Sequence, residues 1–143
     1  MRKGEIVTRG PKEFEHAVAK AKKALRSAGH KTAEAELEEA RRDLSRRPKP
    51  DVTGAIQHSM AALECAARKL SGSKDTLGQI LRKQADKLGI PKPLDDALEK
   101  IWGHASEKGR HLKEGKVPER REAELVLMLT SAIIGYLLED EAD

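Results

Sequence analysis

Apolar residues recur every three or four positions along most of this chain. Phe14, Val18, Ala21, Leu25 and Ala28 are spaced four, three, four, three, which is one stripe of an amphipathic helix. Ala33, Leu37, Ala40 and Leu44 repeat the pattern, as do Val52, Ile56, Met60, Leu63, Ala67 and Leu70. The remaining positions are filled by Lys, Arg, Glu and Ala, which favour helix where packing does not decide. Only one Trp, one Tyr and one Phe occur in 143 residues, which fits helices packed with Ala, Leu, Ile and Val and not a β-sandwich. The fold expected is all-α, with five to six helices.

Breaks in the stripe set the organisation. Pro11 should open a first helix that Gly29 stops, and Thr32 should cap a second, giving an antiparallel hairpin. The segment RRPKPD, 46–51, ends that hairpin, because its two prolines cannot sit inside a helix. A boundary there divides the chain into 1–50, an N-terminal arm and hairpin, and 51–143, a four-helix bundle. EIVTR, 5–9, reads as a short extended arm. Asp51 caps the third helix, and Thr76 to Gln79 has the capping-box form T-x-x-Q. A fifth helix starts near Pro93, and Pro118 takes a first-turn position before a last helix reaching about Glu139.

Charge and cysteine narrow the setting. The first 50 residues carry 14 basic and 8 acidic side chains, while the rest is slightly acidic. A basic half can attract nucleic acid, and it can equally be a solvated helix face. The single Cys65 excludes an internal disulfide and suits a reducing cytoplasmic compartment, and its setting in ALECAAR suggests a buried small hydrophobe. The longest uncharged run, 125–138, has 14 residues, short of the roughly 20 that cross a bilayer. No membrane partner is expected.

GHASEKGRH, 103–111, departs from the scaffold composition. Gly103 can be a close-packing position beside Trp102, and Gly109 a helix C-cap followed by cations that suit a helix end. In functional terms, His111 can exchange a proton near neutral pH, and the Arg110 guanidinium can stabilise charge on a phosphate. Such a pair can cleave RNA without metal, the histidine moving the 2′-hydroxyl or leaving-group proton. Glu64, a carboxylate among small apolar residues, needs a partner, and Arg110 or His111 is the obvious one. His104, Lys108 and Lys113 extend the stretch as candidate RNA- or partner-binding residues. A zinc site from His104, His111 and Cys65 lacks ligand spacing, and no cofactor is expected.

The blocks DVTGAIQHSMAALECAARKLSG, TLGQILRK, PKPLDDALEKIWGHASEKGRH and EAELVLMLTSAIIGYL, in that order, resemble the C-terminal domain of AbiJ-type abortive-infection proteins, a branch of the HEPN superfamily. The resemblance covers about 51–139. It implies a HEPN-like four-helix core behind the hairpin, commonly a homodimer, in a bacterial defence system and often joined to other domains of a longer protein. Many such proteins are metal-independent ribonucleases with Arg and His separated by four to six residues in a dimer cleft. Here Arg110 and His111 adjoin, and within the matched region no arginine precedes a histidine at that spacing. Arg26 and His30 are one residue too close. The resulting expectation is a domain that binds RNA or a partner, with a metal-independent ribonuclease using Arg110, His111 and Glu64 as the alternative.

Overall fold

The computed structural model describes residues 12–110 and 118–139, with the backbone alone for 107–110. The expected arm at 5–9 lies outside the described residues. Six α-helices follow in order: α1 (Lys12–Ser27), α2 (Lys31–Leu44), α3 (Val52–Ser71), α4 (Leu77–Lys83), α5 (Leu94–Arg110) and α6 (Arg120–Leu138). A short 3₁₀ turn, Ala85–Leu88, links α4 to α5, and no strand occurs among the described residues.

The turn between α1 and α2 is made by Gly29 at φ +78°. The Gly29 amide donates to the Arg26 carbonyl and the His30 amide to the Leu25 carbonyl, so the last carbonyls of α1 are satisfied. His30, and not Thr32, occupies the N-cap of α2, without a side-chain cap. The backbone turn places the helix start here, which overrides the local preference for threonine. Asp51 does cap α3, accepting from the Gly54 amide at 2.9 Å. Pro118 lies just before the Glu119 N-cap of α6, two positions ahead of the first helical residue, Arg120.

Each helix buries its small-residue stripe. Leu25, Leu37, Ile56, Leu77, Ile80, Leu127, Ile134 and Leu138 are the largest fully buried apolar side chains. α2 lies along α3 and α1 lies along α6, so the elements on either side of the 46–51 turn share one cluster of buried residues. The apolar run at 125–138 forms most of α6, with Leu127 and Ile134 inside and Leu125 and Tyr136 exposed. Among the described residues no helix is long and apolar enough to cross a membrane. Cys65 is only half-buried, packed against the core edge.

Candidate functional site

Three of the sequence blocks quoted above meet where α3, α4 and α5 join. α4 has only seven residues, so the unsatisfied amides of its first turn matter. Thr76 and Gln79 close a reciprocal capping box, in which the Gln79 amide donates to Thr76 Oγ1 at 3.3 Å and the Thr76 amide to Gln79 Oε1 at 2.9 Å. The Leu77 amide is satisfied from another helix, donating to Glu64 Oε2 at 2.9 Å. Glu64 Oε1 lies 3.2 Å from Arg68 Nη2. Among the described residues the partners of Glu64 are thus a helix N-terminus and a neighbour one turn along α3, while the expected partners, the Arg110 side chain and His111, lie outside the description. A carboxylate at a helix N-terminus also meets the positive end of the helix dipole.

The TLG block positions Trp102. A Cβ built on Gly78 would stand 3.5 Å from Trp102 Cζ3 and 3.5 Å from Arg82 Nη1. The indole thus rests directly on the start of α4, and a side chain larger than alanine would displace it. Arg82 Nη1 also donates to Glu99 Oε1 at 3.0 Å, tying α4 to α5. Beside the indole runs a groove of about 310 Å³, where Gln57, Met60 and Glu64 of α3 face Trp102, Ala105 and Ser106 of α5. Its walls combine an aromatic face and aliphatic surface with an amide, a hydroxyl and a carboxylate.

The remaining expected site residues are distributed differently. His104 is 62 % exposed and its Nε2 lies 3.9 Å from Glu122 Oε2, so it reaches toward α6 and not into the groove. Arg110 is the last residue of α5 and Lys108 lies two residues earlier, their side chains outside the description. His111 and Lys113 lie outside the described residues. Gly103 is not a close-packing position, since a Cβ there would meet nothing within 4 Å among the described residues. Gly109 does not end its helix either, because α5 runs through it to Arg110. Arg26 pairs with Glu34 at 2.6 Å and His30 is buried at the α1–α2 turn, so these two do not form an open site.

Sequence reading passed over two further features. Arg9 and His16 are separated by six residues, within the spacing discussed above but outside the matched region. Arg9 lies outside the described residues, and His16 lines a different cavity, between α1 and α6.

The second feature is a buried carboxylate. Asp43 is 1 % exposed, and its Oδ2 lies 2.6 Å from His58 Nδ1 while Oδ1 accepts from Arg46 Nε at 3.0 Å. Gly54 makes room for it, as a Cβ there would come within 2.9 Å of Asp43 Oδ2. The carboxylate fixes the ring orientation, as in the Asp–His pairs of hydrolases. Burial opposes the imidazolium, but the hydrogen bond to Asp43 and the charges of Asp43, Glu36 and Glu39 outweigh it and raise the His58 pKa. The available signal was a charged residue, Asp43, placed where the α2 stripe turns inward beside Ala40 and Leu44.

Most arginines of the basic first third are already committed. Arg41 and Arg42 contact Glu38, and Arg46 contacts Glu39 as well as Asp43. These pairs leave α2 little uncompensated charge for tracking phosphates. Among the described residues no group of three or more His, Cys, Asp or Glu side chains is placed to hold a metal. Set against known protein families, curated proteins and solved structures, the chain matches none.

Proposed function

We propose that this chain is a HEPN-like helical domain of a bacterial defence system of the abortive-infection kind, and that it binds RNA through the α3–α5 groove without cutting it. The observation that supports this reading is that the ALEC and IWGHAS blocks line one groove with Trp102 in its wall, while the TLG block backs the indole and is held by Glu64. An indole offers a stacking surface to an unpaired base, and Gln57 and Ser106 offer hydrogen bonds to its edge. Lys100 and His104 lie on the same helix, which carries Lys108 and Arg110 at its end. With one tryptophan in the chain, such a site takes one base and relies on phosphate contacts for the rest.

That single tryptophan makes the test direct. Titration with short single-stranded RNA should quench Trp102 fluorescence, more weakly at about 200 mM than at about 50 mM salt. Gln57→Ala and Ser106→Ala, which line the groove, should weaken binding while leaving the circular dichroism unchanged. RNA that neither changes the fluorescence nor binds by anisotropy would overturn the reading and favour a protein partner.

A second reading, a metal-independent ribonuclease, keeps support from Arg110 and His104 sharing α5, directly before His111. Cleavage of a mixed tRNA and mRNA pool in EDTA, lost in both Arg110→Ala and His111→Ala, would establish it there. Loss in His16→Ala alone would move the chemistry to the Arg9–His16 pair.

A further inference from the structure

A hollow of about 510 Å³ opens between α1 and α6, away from the α3–α5 groove. It falls within the roughly 300–1,000 Å³ of small-molecule sites. Its floor is made of small residues, Ala17 and Ala24 from α1 with Ala132 and Gly135 from α6. A Cβ built on Gly135 would meet nothing within 4 Å among the described residues, although Ile134 and Leu138 on the same helix are fully buried.

The polar groups around this space are specific. Ser131 belongs to the wall, is 2 % exposed, and its hydroxyl has no hydrogen-bond partner among the described residues. A helical serine commonly bonds back to the carbonyl one turn earlier, and a buried hydroxyl without a partner is an uncommon cost. On the α1 side stand His16 and Lys20, one turn apart. Neither has an ion-pair partner among the described residues, whereas Lys22 on the same helix pairs with Glu38 at 2.6 Å. On the α6 side stand Tyr136 and Glu139.

We propose that this hollow is a binding site for a small apolar carboxylate, held by Lys20 and His16 at the rim and by the Ser131 hydroxyl in the wall. One lysine ammonium and one imidazole facing a single carboxylate suit a monoanion better than a doubly charged phosphate ester. Glu139 repels negative charge at the α6 rim, which directs the ligand's carboxylate to the α1 side. The alanines and the Tyr136 ring then receive its apolar body, and a turn of the Ser131 side chain, whose hydroxyl is enclosed without a ligand, brings that hydroxyl to an acceptor on the ligand. This proposal does not depend on RNA binding.

The test uses the full chain labelled with ¹⁵N, with indole-3-acetate and benzoate as probes and indole and benzyl alcohol as uncharged controls. Saturable shifts of the Ala17, Ser131 and Gly135 amides with the carboxylates are expected. Lys20→Met should weaken affinity by about tenfold, the usual worth of one charge-assisted hydrogen bond. Gly135→Leu should fill the space and abolish binding while the circular dichroism is kept. A Gly135→Leu chain that does not fold is replaced by Ala132→Met, with the same expectation. The proposal is overturned by equal binding of the uncharged controls, by binding that survives the filling substitution, or by no saturable shift. In the last case the hollow is a hydrated void with water at Ser131.

Discussion

Asp43 Oδ2 lies 2.6 Å from His58 Nδ1, joining the last turn of α2 to the second turn of α3. The imidazolium is the form this contact favours, because the hydrogen bond to Asp43 and the charges of Asp43, Glu36 and Glu39 outweigh partial burial and raise its pKa above the ordinary 6.5. A group whose folded pKa is raised gives stability that is full below its unfolded pKa and lost as pH rises through its folded value. With the ring 36 % exposed, solvent screening keeps the gain below about 1 kcal/mol. Urea midpoints of the wild type should fall as pH rises from about 6.5 through the raised value. His58→Gln should flatten that slope, and an unchanged slope would remove His58 as its source.

Glu38 gives the opposite sign. Arg41 holds both its oxygens at 3.0 and 2.8 Å, and Lys22 from α1 reaches Oε1 at 2.6 Å. The hydrogen bond from Arg41 lowers its pKa to about 2, against partial burial and with help from Lys22. The stability it supplies is present above the ordinary carboxylate value near 4.5 and disappears as pH falls through about 2. Glu38→Gln should cost about 1–3 kcal/mol at neutral pH. Denaturation curves of the two proteins should converge toward the acid limit.

Two helical glycines should answer the same substitution in opposite ways. Gly103→Ala places a Cβ in open space and should stabilise by about 0.5–1 kcal/mol through helix propensity. Gly54→Ala presses a Cβ against the Asp51 carboxylate and, at 2.9 Å, against Asp43 Oδ2. That crowding should cost about 1–3 kcal/mol despite the better propensity. Thermal unfolding of both variants decides it, and a stabilised Gly54→Ala protein would mean that the two carboxylates move aside cheaply.

Removing the Glu64 side chain should loosen α4 locally. Glu64→Ala leaves the Leu77 amide without its acceptor and should cost about 0.5–2 kcal/mol, the range of a lost helix cap. Glu64→Gln keeps an acceptor and should cost less. Hydrogen exchange at Leu77 should accelerate in the alanine variant before exchange in α3 does. Equal exchange in both helices would show that Glu64 supports the whole bundle.

Features set by residues close in sequence were legible before the fold was known. The Asp51 cap and the Thr76–Gln79 box join side chains and amides three residues apart, so the sequence pattern contains both partners. The Glu64–Leu77 bond spans 13 residues and the Asp43–His58 contact 15, each between different helices. No local pattern could pair them, although Glu64 could be flagged as a carboxylate among apolar neighbours and Asp43 by its place beside the α2 stripe. Gly103 and Gly109 misled for a related reason. Gly109 reads as a helix stop and Gly103 as a close-packing position, yet α5 continues through both with open space at Gly103, because packing of Trp102 and Ala105 against the core outweighs the small helix cost of glycine. Within the candidate groove, Glu64 was named in advance, while Gln57 and Ser106 are ordinary surface residues until α3 and α5 stand side by side.

His16, near the start of α1, and Glu139, just past the end of α6, line one hollow, which sets these two helices antiparallel. The first and last described residues, Lys12 and Glu139, therefore emerge at the same end of the bundle. A load applied between them would peel α1 from α6 one turn at a time, starting at the hollow where side-chain packing is thinnest. A load between Lys12 and the α3–α4 turn would instead have to slide α1 past its neighbours all at once. The same molecule is thus mechanically soft along one direction and stiff along another.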